Sequence, residues 1–106
     1  MRHQKVTAFI RSDQLEKVEK VLLESGVKGM SISTVKGYGE YADYYARDLM
    51  IEHERIEIFC SEEKAEAIAE TIIETAYTGM EGDGIVAILP VEKLYRVRTK
   101  SLLTYK

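Results

Sequence analysis

The chain has 106 residues, which suits one domain around one core. Hydrophobic residues are 45% and charged residues 31%, the balance of a folded chain and not of a disordered one. The net charge of −3 argues against nucleic-acid binding by bulk phosphate neutralisation, and the single cysteine, Cys60, excludes an internal disulfide.

Lys5 to Ile10 reads as a strand, with Val6, Ala8 and Ile10 on one face and Thr7 and Phe9 on the other. Ser12-Asp13 reads as a capped helix start, and Leu15, Val18, Val21 and Leu22 follow at helical spacing. Gly26 ends that helix. Gly29 to Lys36 alternates as a second strand, broken by Gly37-Tyr38-Gly39. The stretch from Glu40 to Asp48 is tyrosine-rich, charged and without a clean period, as an exposed connection would be. Leu49 to Ile51 can begin a third strand that Glu52 to Cys60 continues, with Glu54, Ile56, Ile58 and Cys60 on one face and His53, Arg55, Glu57 and Phe59 on the other. There His53 reads as a strand-surface histidine and Cys60 as a half-buried structural thiol.

Ser61-Glu62-Glu63 opens a second helix, with acidic residues where the dipole favours them. Its apolar stripe is Ala65, Ile68, Ala69, Ile72, Ile73 and Ala76. Ile85 to Leu89 is a further strand that Pro90 interrupts, Tyr95 to Thr99 a last short one, and Lys100 to Lys106 a loose tail. The order strand, helix, strand, strand, helix, strand is the α+β ferredoxin-like βαββαβ plan, an antiparallel sheet with two helices on one face. Phe9, Val35 and Phe59 then point to the other face, which makes oligomerisation the economical expectation.

The chemistry concentrates at Thr78-Gly79-Met80-Glu81-Gly82-Asp83-Gly84. Such a run folds tightly and turns successive backbone N–H groups into one concavity, which is how a chain holds phosphate without a dedicated side chain. Arg96 and Arg98 follow on one face of an extended segment, and guanidinium is the usual side-chain partner of phosphate. On the residues alone, an ordinary glycine turn beside two surface arginines stays open as the other reading.

Four pieces together resemble the PII family of nitrogen-regulatory signal-transduction proteins. Gly29 to Gly39 is similar to its second strand and the entry to its T-loop, and Arg55-Ile56-Glu57-Ile58 to the strand leaving that loop. Residues 78–84 resemble its B-loop, and Arg96-Val97-Arg98-Thr99 its C-terminal Arg-x-Arg-Thr. The resemblance implies a PII-like domain over residues 1–99, with a T-loop-like segment at 37–52 and a tail at 100–106. It implies a homotrimer with an adenine nucleotide (ADP, AMP or ATP) in each cleft between subunits. Gly82, Asp83 and Gly84 would cradle the phosphates, and Arg96 and Arg98 would meet phosphate from the next subunit. Gly29, Met30 and Ser31 would lie at the adenine, and Gly37 and Gly39 would let the backbone pass close to the nucleotide. Tyr41, Tyr44, Tyr45 and Arg47 would face a target protein, such as a membrane transporter.

Departures from the family pattern imply a divergent member with a shortened T-loop. Ile85 stands where a lysine or arginine usually follows the B-loop, Glu40-Tyr41 where Arg-Gln is usual, and His53 where a lysine usually receives 2-oxoglutarate. Together they imply a preference for ADP or AMP over Mg-ATP, with bicarbonate or another small anion as a second ligand. The alternatives are an ordinary nitrogen regulator sensing ATP, ADP and 2-oxoglutarate, and a CutA-like metal-binding trimer. No nucleophile–base pair or carboxylate dyad stands at motif spacing, so no enzyme is expected, and no RNA-binding surface is expected either. No apolar stretch follows the N-terminus at a signal peptide's length, so a cytoplasmic setting is expected.

Overall fold

A computed structural model describes residues 2–37 and 51–103. The elements are β1 (His3–Arg11), a 3-10 turn (Ser12–Gln14), α1 (Leu15–Glu24), β2 (Ser31–Gly37), β3 (Ile51–Ser61), α2 (Glu62–Ala76), β4 (Gly84–Val91), β5 (Tyr95–Arg96) and β6 (Ser101–Leu102). The first four strands form an antiparallel sheet in the order β2-β3-β1-β4, and β5 pairs with β6 in a separate ribbon. The ferredoxin-like plan is therefore the observed one.

Alternation decides which sheet face is the core. Val6, Ala8 and Ile10 pair with Ile58, Ile56 and Glu54 on one side and with Ile88, Val86 and Gly84 on the other. Side chains of paired residues share a face, so the apolar positions of three strands stack into one surface. Onto it pack Val18 and Leu22 of α1 and Ala65, Ala69, Ile72 and Ala76 of α2, all buried. The small alanines let α2 lie close to the sheet.

The helix ends differ from the capping expected from sequence. Ser12 and Asp13 form the 3-10 turn, and neither that turn nor α1 has a side-chain cap. Ser61 precedes α2 without a side-chain cap either, and the first N–H of the helix, that of Glu62, meets the Arg2 carbonyl at 2.9 Å. A neighbouring chain segment thus satisfies one of the helix's open amides. α1 ends at Gly26 as expected, with Val27 N–H on the Leu22 carbonyl and Gly26 N–H on the Leu23 carbonyl. Ile73 leaves the expected stripe and is exposed, whereas Ile68 is half-buried against the core.

Strand bounds differ from the expected ones: β1 is longer at both ends, β2 starts at Ser31 and β5 ends at Arg96. The β2–β3 ladder extends to Gly37↔Ile51, so Gly37, Ile51 and Glu52, the outer residues of the segment expected as T-loop-like, are strand residues, and residues 38–50 lie between the two strands. β4 runs through Pro90 because it is an edge strand with a partner, β1, on one side alone. Proline lacks an N–H, and an edge tolerates that where an interior strand would not. The tail is tied down as far as Leu103: its N–H reaches the Leu94 carbonyl at 2.8 Å, and its carbonyl accepts from His3 Nε2.

The second sheet face is mixed. Phe9 and Val35 are half-buried on it, while Phe59, Ile85 and Leu89 are exposed. Among them Lys5 meets Glu57 at 2.5 Å and lies over the Phe59 ring, and Arg55 reaches Ser33 at 3.2 Å. The Lys5 hydrogen bond is the main cause holding the Glu57 carboxyl below its ordinary pKa. Cys60 lies in the core, where burial pushes its thiol pKa up against a smaller opposing effect of Lys64.

Candidate functional site

Residues 78–84 connect α2 to β4 and carry the chain across the end of the sheet. Gly79, Gly82 and Gly84 all have positive φ, and Gly82 is buried. The fold requires the glycine at 84: a Cβ there would stand 1.7 Å from the Phe9 carbonyl oxygen, against backbone that cannot give way. Gly84, expected as a phosphate residue, is thus also a close-approach point between β4 and β1.

Asp83 organises the loop from inside. Its carboxylate accepts from the N–H of Thr78 and of Gly79, both at 2.9 Å, and from the Thr78 hydroxyl. The Thr78 oxygen in turn accepts from Met80 N–H at 3.2 Å. Burial raises the Asp83 pKa, but the bonds from Thr78, Gly79 and Arg11 outweigh it and leave the carboxyl below its ordinary value. The sequence reading placed Asp83 among the groups facing phosphate. The structure turns its carboxylate onto its own loop, where a negative group is neutralised and does not oppose an anion.

Two side chains from the sheet hold the loop from beneath. Arg11, at the end of β1, donates through Nε to Asp83 at 3.1 Å and through Nη2 to the Glu81 carbonyl. His53, near the start of β3, donates through Nε2 to the Gly82 carbonyl at 3.0 Å. A carbonyl can only accept, so Nε2 carries the proton. His53 is 1% exposed and no strand-surface residue, because the loop lies over it. Arg11 and His53 face one another across the β1–β3 ladder, and Val35 of β2 pairs with His53. The loop is thereby brought within one strand of the Val35–Gly37 end of β2.

The remaining expected site residues are spread out. Ser31 starts β2 exposed, beside Glu57. Met30 packs against the core, and exposed Gly29 lines a cavity of about 550 Å³ with Val27, Ile58, Phe59 and Ile68. Arg96 lies in β5, whereas Arg98 lies in the turn between β5 and β6, so the two do not share one extended segment. Both are exposed. The hairpin follows the Val91 end of β4, which pairs with His3, whereas Gly84 pairs with Ile10. Seven residues of strand, about 23 Å, separate those two levels. Loop and hairpin therefore stand at opposite ends of β4. Gly39, Tyr41, Tyr44, Tyr45 and Arg47 lie outside the described residues.

Arg11, His53 and Thr78 complete the loop without having been singled out for it. The available signals were faint: a basic residue ending an apolar strand, and a threonine opening the glycine run. Among the described residues, no three of His, Cys, Asp and Glu come together as metal ligands would, and no helix is long and apolar enough to cross a membrane.

The chain matches the family model described as nitrogen regulatory protein P-II over residues 3–101. It is 37% identical to nitrogen regulatory protein P-II of Porphyra purpurea, over 92% of this chain and 94% of that one. It is 33% identical to the P-II homolog of Arabidopsis thaliana over 90% of this chain; the match spans only 53% of that protein, about half its length. The fold superimposes on a crystal structure of Arabidopsis thaliana PII bound to citrate with a TM-score of 0.80 and 33% identity, covering 95% of this chain and 85% of that one. Four pieces of similarity in the right order and the sheet topology thus agree with matches along nearly the whole chain: it belongs to the P-II family of nitrogen regulatory proteins.

Proposed function

We propose that this chain binds an adenine nucleotide in a cleft between subunits of a homotrimer and reports the bound state to a target protein. The carrying observation is the 78–84 loop. Its inward bonds use the N–H groups of Thr78, Gly79 and Met80, and those of Glu81, Gly82 and Asp83 would be the ones to face a phosphate. The base would lie near Ser31 and the phosphates near Gly82 and Gly37. From Ser31 to Val35, level with the loop, is four residues of strand or about 13 Å, on the scale of an extended nucleotide. Arg96 and Arg98 stand too far away to serve the same phosphate within one chain, so they would come from a neighbouring copy. The half-apolar second sheet face, with Phe9, Phe59, Ile85 and Leu89, is where such copies would pack.

ADP or AMP is the preferred ligand on this reading. Ile85 follows the loop with no cation for a third phosphate. His53, beneath Gly82, is engaged with the loop carbonyl and so is not placed as a carboxylate receiver for 2-oxoglutarate. The Arabidopsis homologue was crystallised with citrate, and a small anion such as bicarbonate would be the second ligand here. Tyr41, Tyr44, Tyr45 and Arg47, in the connection between β2 and β3, supply residue types that form binding hot spots, and a membrane transporter or a carbon or nitrogen metabolic component is the proposed target.

The test is calorimetric titration with AMP, ADP and ATP, with and without Mg²⁺, repeated with 2-oxoglutarate or bicarbonate. Micromolar ADP or AMP binding that ignores 2-oxoglutarate and is lost in Arg96→Ala is the expected result. Tight Mg-ATP binding strengthened by 2-oxoglutarate would establish instead an ordinary nitrogen regulator, the reading favoured by the naming of the 33–37% identical relatives. No heat with any nucleotide would end both.

A further inference from the structure

We propose that Arg11 and His53 are positioning residues that hold the 78–84 loop in an anion-ready shape before any ligand arrives, so that two side chains beneath the loop set its affinity for phosphate. This rests on the nucleotide reading above and adds the source of the loop's preorganisation. Three consecutive residues of the loop, Glu81, Gly82 and Asp83, are each gripped on an acceptor atom. Arg11 takes the Glu81 carbonyl and the Asp83 carboxylate, and His53 takes the Gly82 carbonyl. A peptide plane held by its carbonyl has its N–H direction fixed as well. Two successive carbonyls pulled down onto the sheet therefore fix the orientation of the N–H groups of Gly82 and Asp83, while the Asp83 carboxylate fixes those of Thr78 and Gly79.

Without this hold, a run containing Gly79, Gly82 and Gly84 would sample many backbone states, and a ligand would have to order it on binding. The geometry spreads the task over two strands. Arg11 and His53 are register partners, so the side chains of β1 and β3 reach the loop from adjacent positions on one face. The Arg11 fork bridges a backbone and a side-chain acceptor at once, which a lysine ammonium cannot match in direction.

Amide hydrogen exchange of the ligand-free protein, combined with titration of ADP and of adenosine, decides the matter. Arg11→Met should raise exchange of the 78–83 amides about tenfold and weaken ADP about tenfold, with adenosine unchanged. Arg11→Lys should fall between. His53→Leu should act in the same direction, and His53→Gln, which keeps a donor, should restore part of the effect. Continued protection of Val6, Ile56 and Ile58 serves as the folding control. Unchanged loop exchange in Arg11→Met would overturn the proposal, and so would equal weakening of ADP and adenosine. If the wild-type chain binds no adenine nucleotide, the nucleotide reading falls and takes the affinity half of this inference with it. The exchange measurement needs no ligand, so the two failures are distinguishable.

Discussion

Two segments of this chain carry phosphate-type chemistry, and the fold treats them in opposite ways. The 78–84 loop is folded over the sheet, bonded inwardly through Asp83 and held by Arg11 and His53. The β5–β6 hairpin stands at the other end with Tyr95, Arg96, Val97, Arg98 and Leu102 all exposed, Val97 at 89%. The loop is complete within its own chain. The hairpin's side-chain bonds are confined, among the described residues, to Thr99 with the Arg96 carbonyl and the Ser101 hydroxyl, and its two guanidinium groups stand exposed. On the proposed reading the contrast separates a preorganised half-site from a donated one, and preorganisation is where affinity is gained without new contacts.

The largest test of that contrast is complementation. Gly82→Trp and Arg96→Ala should each abolish or nearly abolish nucleotide binding. Co-refolded mixtures of the two should regain a fraction of the sites, read by calorimetry, because an intact loop and an intact hairpin then meet across subunits. No recovery in mixed assemblies would place loop and hairpin in separate functions.

Gly84→Ala comes next and acts on stability. A Cβ driven into the Phe9 carbonyl at positive φ should cost about 3 kcal/mol or more in urea unfolding. The corresponding change in the hairpin, Val97→Ala, should stay within about 0.5 kcal/mol of wild type. A tolerated Gly84→Ala would mean that β1 and β4 separate easily at this end.

Asp83→Asn should loosen the loop by about 2 kcal/mol, since an amide offers one acceptor where the carboxylate offers two. Acid should mimic it. The folded pKa of Asp83 is lowered, so its contribution is fully present above the ordinary carboxylate value of 3.8 and is lost as pH falls through the lower folded value. Exchange of the Thr78 and Gly79 amides should therefore rise at low pH beyond the intrinsic trend, and should not do so in Asp83→Asn. The smallest effect belongs to the second sheet face. Glu57→Gln should cost no more than about 1 kcal/mol, because the Lys5 pair is partly solvated. A larger cost in the assembled protein than in dissociated chains would show that subunits bury this pair.

Much of the fold was legible because its elements follow periods. Val6, Ala8 and Ile10 alternate, Val18 and Leu22 recur at helical spacing, and both patterns survive as the buried core. The glycine run was legible as a loop because no helix or strand accommodates it. Capping was not, since the Arg2 carbonyl that meets Glu62 N–H is sixty residues away in sequence and close only after folding.

The alternation, the order of strands and helices, the glycine run and the two arginines after it can be read along the chain, because they depend on neighbours a few residues apart. Folding is what brings Arg11 and His53 onto Glu81, Gly82 and Asp83, turns Asp83 inward and sets the hairpin a strand length away from the loop. Those contacts join residues twenty-nine to seventy-two positions apart. No local period encodes them. They follow from the register of β1 against β3 and β4, which the burial of one apolar face fixes for the sheet as a whole.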